Sequence, residues 1–600
     1  GTKNIAVGSY ALDTNTEGDK NVAIGYQALD ANTTADDNTA VGDSSLKANT
    51  TGSCNTAVGK EALRAHTTGT RNTGVGTGAL CDITATQDNT AIGYFAAKDS
   101  TANYTTAVGS ESVYKATGDA NTGLGYRALY LNTSGSGNTS IGYQSLEKNT
   151  TAAENVAVGC RALRCNTTGD VNVAVGTNAL CANTTAGGHT AVGHNALKNT
   201  TGAQNTGFGN NALCTNSSGQ CNTALGRNAL TSNTSASHNT AVGHSSMYTN
   251  TTGACNSALG QSSLYFNTEG DNNSAFGYES LHKNQTADNN SAFGYKTLRN
   301  NTTGANNTAV GNIALTANTT GDDNVAIGDF ALRSNTEADD NTAVGVAALN
   351  LNITGANNTA IGRSALGVNT TGANNVVVGK NALDANTTGT ENVAVGLSAL
   401  GANTTASENT AVGCGALSSN TEGGANTAVG RTALTTATTG CLLTALGTSA
   451  GREITTGDNN LVLGFNAGRS SSPFGITTED NRIVLGNNSI TNFYAKVALT
   501  VTSDLRDKTE IADVPHGLEF VNQMKPVSFK FKKSREDNTP TGTKHYGFLA
   551  QDILELEGSD NVIIDDEQPD HLKYKGEHLV PVLVNAIKEL KAEIDELKKG

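Results

Sequence analysis

The chain has 600 residues, of which 16% are charged and 5% aromatic; it has no tryptophan and a net charge of −15. Such a composition lacks the bulky side chains of a large globular core, and its thinly spread acidity offers no basic stripe for nucleic acid and no polybasic segment for membranes. No apolar run reaches the length of a membrane-spanning helix, and the low charge speaks against disorder.

From Asn4 to Gly464 a segment of the type Asn55-Thr-Ala-Val-Gly59 recurs 28 times, each copy keeping its closing glycine. Of the 27 steps, 24 are 17 residues long, and three, ending at Gly109, Gly125 and Gly209, are 16. A short fixed period predicts a solenoid in which each unit is one coil, stable only when stacked on its neighbours. The consensus is N-T-A-V-G-x-x-A-L-x-x-N-T-T-G-x-x. The Ala-Val-Gly part reads as a short strand, and the glycine and Asn-Thr-Thr-Gly parts as turns. The fourth position (Val58, Ile92, Phe208, Leu225) and the ninth (Leu63) are expected to point inward, with stacked Asn side chains forming hydrogen-bonded ladders. The 16-residue coils are expected to lose a residue from a turn and keep their strands in phase.

One Val or Ile, one Leu and one or two Ala per coil make a thin core. Burial gives about 1.5–3 kcal/mol per large side chain, against roughly 1–2 kcal/mol to order each backbone residue. Sharing the core among three parallel chains answers that deficit; a self-sufficient single-chain solenoid is the alternative. At about 4.8 Å per coil the 27 steps give a shaft of roughly 130 Å. The Asn-Thr-Ala-Val-Gly half of each unit also resembles the head repeats of trimeric autotransporter adhesins, whose usual period is shorter.

Other features of the repeat are weaker signals. The ten cysteines show no CxxC spacing, and most lie coils apart, so free thiols are expected. Tyr26, Tyr94, Tyr126, Tyr143, Tyr278 and Tyr295 follow the repeat glycine and read as scattered outward rings, with stacking on sugars as the alternative. Sequons at Asn32, Asn166 and Asn403 suit glycans or, more simply, turn capping. No recurring carboxylate pair, His cluster or calcium motif occurs, so neither cofactor nor metal is expected.

All six prolines lie after residue 472, where the ladder that proline would interrupt comes to an end. This divides the chain into repeats (1–464), a β connector (465–502) with strand-like runs Arg482–Leu485 and Tyr494–Leu499, and a small α+β domain (503–600) ending in a helix. The overall fold class is therefore mainly β. Because the chain opens directly into a repeat at Gly1, it reads as a fragment or a processed product.

The third segment carries the chemistry. It opens Ser503-Asp504-Leu505-Arg506-Asp507-Lys508, continues with Tyr546-Gly547-Phe548-Leu549-Ala550-Gln551-Asp552, and closes on a helix from Leu579 to Leu590 and beyond. Together these resemble the endosialidase-type intramolecular chaperone domain of phage tail spikes and tail fibres, over about residues 490–600. The resemblance implies a trimer that templates the preceding β stalk and then cuts itself between Thr502 and Ser503. Ser503 would be the nucleophile and Lys508, as a neutral amine, the general base; Asp504 and Arg506 would fix the turn. A Ser-Asp helix cap followed by solvated charges is the alternative reading. Val580, Leu583, Ile587, Leu590, Ile594 and Leu597 are spaced as a heptad seam. Ile at a and Leu at d alone would favour a dimer, and packing of the helix on its own domain is the alternative to any seam.

The functional expectation is a trimeric virion fibre for host attachment, extracellular and without membrane insertion or nucleic acid. Its partners would be other tail proteins and a host glycan or protein receptor. The alternatives are a cell-surface adhesin stalk, an ice-binding solenoid presenting phased Thr56, Thr73 and Thr90, and a polysaccharide-degrading tailspike. Autoproteolysis is the only catalysis expected.

Overall fold

The computed structural model describes all residues except 471, 473, 498–502, 533, 534, 560 and 568. It is mainly β, a solenoid of about 27 turns at 17-residue spacing, followed by a small domain with a long final helix. Two compact units divide the chain, Gly1–Val377 and Val378–Gly600.

In the first unit every repeat contributes one three-residue strand, from Ile5–Val7 to Thr359–Ile361. Each pairs in parallel with the equivalent residues of the next coil, as Thr56, Ala57 and Val58 do with Thr73, Gly74 and Val75. The other side of the coil is also laddered: Leu63 N–H donates to the Ala79 carbonyl at 2.9 Å and Thr67 N–H to Thr84 at 2.7 Å. The short coils stay in phase, Ala91 pairing with Ala107, Ala107 with Gly123 and Ala191 with Gly207. Their missing residue comes from the Asn-Thr-Thr-Gly turn, which shrinks to Ser100-Thr-Ala102, Ala116-Thr-Gly118 and Thr200-Thr-Gly202.

The expected inward orientation of the fourth position is wrong. Ala57 is fully buried, whereas Val58 on the same strand is 37% exposed; Ile92 and Phe208 are exposed, and no fourth-position residue is buried. Alternation along a strand fixes that neighbours face opposite ways, and available space decides which face is inside. Here the interior is filled by Ala57, Ala62 and Leu63, all fully buried. A Cβ added at Gly74 would meet Leu63 Cδ1 at 3.4 Å, so the third-position side chain abuts the ninth-position Leu of the preceding coil. Where Val462 takes the third position, the ninth positions of its own coil and the one before are Gly468 and Gly451. A Cβ on Gly468 would lie 3.0 Å from Val462 Cγ1, so the larger side chain occupies volume that Leu surrenders.

Three further devices close each coil. Gly59 has φ +131°, and a Cβ there would sit 2.7 Å from the Gly76 carbonyl group, so both conformation and close approach demand glycine. Leu63 adopts φ +53° and Glu61 φ +59°, left-handed turns that cost an L-residue about 1 kcal/mol each and persist because the stack holds them. Two Asn ladders satisfy buried backbone: Asn55 Oδ1 accepts the Asn72 N–H at 2.9 Å while its amide donates to Gly69 at 3.0 Å. In the second ladder Asn49 Nδ2 donates to Asn32 Oδ1 and to the Gly52 carbonyl, both at 3.0 Å. The sequon residues Asn32, Asn166 and Asn403 belong to this second ladder and are fully buried, so the folded coil withholds them from glycan attachment.

In the second unit parallel pairing runs from Val393–Val395 to Leu461–Leu463 and continues to a further strand, Ile483–Leu485, after a 22-residue excursion. Residues 494–497 form no strand, and the rest of the run to Leu499 lies outside the described residues. The terminal domain consists of helix α1 (Leu518–Gln523), an antiparallel hairpin (Val527–Lys532 with Pro540–Gly547), helix α2 (Ala550–Glu557) and helix α3 (Leu579–Leu597). Phe520, Met524, Ile553, Ile563, Ile564, Leu579 and Val582 form its core.

Candidate active site

The motif that opens the terminal domain is built around one 3-10 turn, Leu505–Asp507. Asp504 caps it, accepting the Arg506 N–H at 2.9 Å, and the Arg506 guanidinium grips the same carboxylate through Nε at 3.0 Å and Nη2 at 2.5 Å. The Arg506 side chain and backbone N–H hold the Asp504 carboxyl below its usual range, and Asp504 in turn raises Arg506. The turn closes with Lys508 N–H donating to the Leu505 carbonyl at 3.2 Å.

This closure brings the residues on either side of the turn together. Lys508 Nζ donates to Ser503 Oγ at 2.7 Å, although five residues separate them. Both side chains are exposed on the single chain. A nucleophilic hydroxyl within hydrogen-bond reach of an amine is the minimal arrangement for Ser–Lys chemistry. The scissile bond itself cannot be placed, because Thr502 lies outside the described residues.

The second motif is structural in its contacts. Tyr546 and Gly547 end the hairpin, Tyr546 standing 85% exposed. Phe548 packs against the domain core, and Gln551 and Asp552 lie in the first turn of α2, Gln551 exposed and Asp552 half-buried. No hydrogen bond among the described residues links this segment to the Ser503–Lys508 pair. Helix α3 buries Leu579, Val582 and Ala586 against its own domain and leaves Val580, Leu583, Ile587, Leu590, Ile594 and Leu597 exposed. Packing of the helix on its own domain is thus realised on one face, and the six heptad positions stay exposed on the other.

Two carboxylates passed over at the sequence level anchor this domain. Glu557 is buried, and its oxygens accept the N–H groups of Val562, Ile563 and Ile564 at 2.9, 2.6 and 2.9 Å. Glu589 on α3 accepts the Leu518 N–H at the start of α1 at 2.6 Å. Nothing in the local sequence separates either from a surface glutamate, since both partners are distant or backbone groups. No cluster of three or more His, Cys, Asp or Glu side chains among the described residues is arranged to hold a metal. All ten cysteines are free thiols, and burial pushes that of Cys81 up to about 12.

Among known families, the chaperone of endosialidase matches residues 503–563, the stretch holding the Ser503–Lys508 turn, the hairpin and α2. No curated protein matches the chain. The chain thus joins a long β-solenoid to an endosialidase-chaperone domain, the organisation of a fibre-like protein.

Proposed function

We propose that the chain is the shaft of a trimeric virion fibre used for host attachment, folded by a terminal domain that then severs itself before Ser503. The observation that carries the chemistry is the 2.7 Å contact of Lys508 Nζ with Ser503 Oγ across the capped turn. In the reaction a neutral Lys508 takes the hydroxyl proton and Ser503 Oγ attacks the Thr502 carbonyl carbon. The Thr502–Ser503 C–N bond breaks, the nitrogen receives a proton, and an ester forms. Water then hydrolyses the ester, leaving a carboxylate at Thr502 and a free hydroxyl and amine at Ser503. On the single chain the dyad is open to water; another chain covering the turn would exclude that water. Scission would then follow assembly.

Two unpartnered apolar surfaces support a trimer: the fourth-position ladder of the solenoid and the exposed seam of α3. With only small side chains inside each coil, burying the outward Val, Ile and Phe row between chains supplies the missing apolar area. After scission the template is lost, so the shaft unfolds slowly rather than retracing its folding route.

Intact-mass measurement of the expressed chain tests this. Fragments 1–502 and 503–600 are expected from the parent, and neither from Ser503→Ala nor Lys508→Ala. Cutting of Ser503→Ala at the parental rate would assign the scission to a contaminating protease. A second reading, ice binding, has one structural argument: the second-position Thr row and fourth-position Val row share one outward face. Thermal hysteresis in the purified protein would favour it, and burial of that face between chains would remove it.

A further inference from the structure

Aromatic rings occur singly or in isolated pairs along residues 1–377, such as Tyr10 with Tyr26 and Tyr94 with Phe95. At two places they form two rows each, in the same two repeat phases. In the first, Tyr126 and Tyr143 follow successive repeat glycines and stack with centroids 5.5 Å apart. Tyr114 and Tyr130, in the coils of Gly109 and Gly125 and thus one coil earlier than Tyr126 and Tyr143, form a second row with centroids at 5.2 Å. Arg127 lies between the rows, 5.2 Å from the Tyr126 centroid and 5.0 Å from that of Tyr130, and donates to Glu111 at 2.6 Å.

The second place uses the same two repeat phases, with Tyr248 and Tyr265 in the two coils that precede those of Tyr278 and Tyr295. Tyr278 and Tyr295 stack at 5.5 Å, and Tyr248 and Tyr265 at 5.2 Å, both pairs within 12° of parallel. Lys296 lies 4.9 Å from the Tyr295 centroid, and Glu279 accepts from Arg299 at 2.6 Å. In both places the carboxylate occupies the second residue after the repeat glycine and the cation the same position one coil later. Folding does not require these rings, since other coils fill the same positions with Asn, Ser or Thr, and exposed cation–ring contacts contribute little.

We propose that these two patches bind a neutral, linear glycan strand lying along the coil stack, which specifies the receptor class and rests on the host-attachment reading above. Ring rows rise one coil at a time, about 4.8 Å, a spacing comparable with one hexose unit of an extended chain. Sugar C–H faces stack on the open ring surfaces, as apolar bodies with polar tips suit an amphipathic ligand. Arg127 is paired with Glu111, and Arg299 and Lys296 share Glu279, so the local positive charge is largely engaged, which favours a neutral polymer over a polyanion. Those same paired carboxylates and cations offer acceptors and donors to sugar hydroxyls.

The test uses the full-length protein and maltohexaose, cellohexaose and chitohexaose, read by saturation-transfer NMR and tyrosine fluorescence. Fluorescence is informative because the chain has no tryptophan. At least one hexamer is expected to bind, and the double variant Tyr143→Ala/Tyr295→Ala to weaken it about tenfold or more. Tyr104→Ala, outside both patches, is expected to bind as the parent. Equal affinity in the double variant, or no binding of any hexamer, overturns the proposal. Heparin binding that survives the double variant but falls with Arg127→Gln also overturns it, in favour of a polyanion site. Cell attachment retained equally by parent and double variant removes the glycan patches but leaves the fibre reading. A parent that neither assembles nor cuts itself removes the fibre reading, while ring-dependent hexamer binding would stand.

Discussion

The solenoid coils and the terminal domain solve the same problem, ordering a chain with few large apolar residues, in opposite ways. Each coil places Ala and Leu inside and turns its largest β-branched side chain outward, relying on backbone ladders and buried Asn for cohesion. The terminal domain gathers seven apolar residues from α1, α2, α3 and the segment between α2 and α3 into one cluster, with Glu557 satisfying the loop that crosses it. Coils are thus held by repetition, so a defect is felt by its neighbours on both sides; the domain is held by one core and tolerates change at its edges. Both leave an apolar row uncovered, which is where the proposed trimer would form.

The largest test of this contrast is assembly. Ile587→Asp places a charge in the exposed α3 seam without touching the buried Leu579–Val582–Ala586 face. Sedimentation is expected to change from trimer to monomer, and self-cleavage to disappear with it, while the domain keeps its helical circular dichroism. A stable folded monomer of the parent would show that a coil stack needs no partner chain.

Next come two glycine substitutions, one in each region. Gly59→Ala forces a Cβ to 2.7 Å from the Gly76 carbonyl group at φ +131° and is expected to cost about 3 kcal/mol or more. Gly542→Ala in the hairpin has φ +70° and nothing within 4 Å, and is expected to cost about 1 kcal/mol. Hydrogen exchange resolves the difference: protection should fall in the coils flanking Gly59 but remain even across the terminal domain.

Acid stability separates the regions again. His189 replaces an Asn of the first ladder; burial pushes its pKa down to about 4, and Nδ1 accepts the Asn205 N–H at 3.1 Å, which needs the neutral ring. Because the folded value lies below the unfolded one near 6.5, the folded chain binds fewer protons between these values. Stability contributed by the neutral ring is therefore present above about pH 6.5 and is lost as pH falls toward about 4, by up to roughly 3 kcal/mol. His189→Asn is expected to abolish this local acid opening, measured by hydrogen exchange at pH 7 and pH 4.5; an unchanged profile would place the acid sensitivity elsewhere.

A more local effect is expected from Asn239→Ala. It strands the buried Asn256 N–H, while the Gly253 carbonyl keeps its bond from Asn250, so about 1–3 kcal/mol should be lost locally. Loss of less than the cost of one unpaired group would mean that water enters the ladder.

The sequence by itself determined the period, the strand phase, the single-residue turn deletions of the three short coils and the Asn ladders, because each follows from identical residues recurring at fixed spacing. Its prolines also marked where the regular period stops, although the ladder itself runs on past Pro473 to Ile483–Leu485. It could not determine which face of a three-residue strand points inward: Ala57 and Val58 alternate under either choice, and only the narrow space beside Leu63 selects alanine. Nor could it show that Ser503 and Lys508 meet, since that contact depends on a turn closed by Asp504 and Arg506. The pairing of Tyr126 with Tyr143 and of Glu589 with α1 likewise belongs to tertiary structure, because each joins residues whose proximity exists only once the chain is stacked or packed.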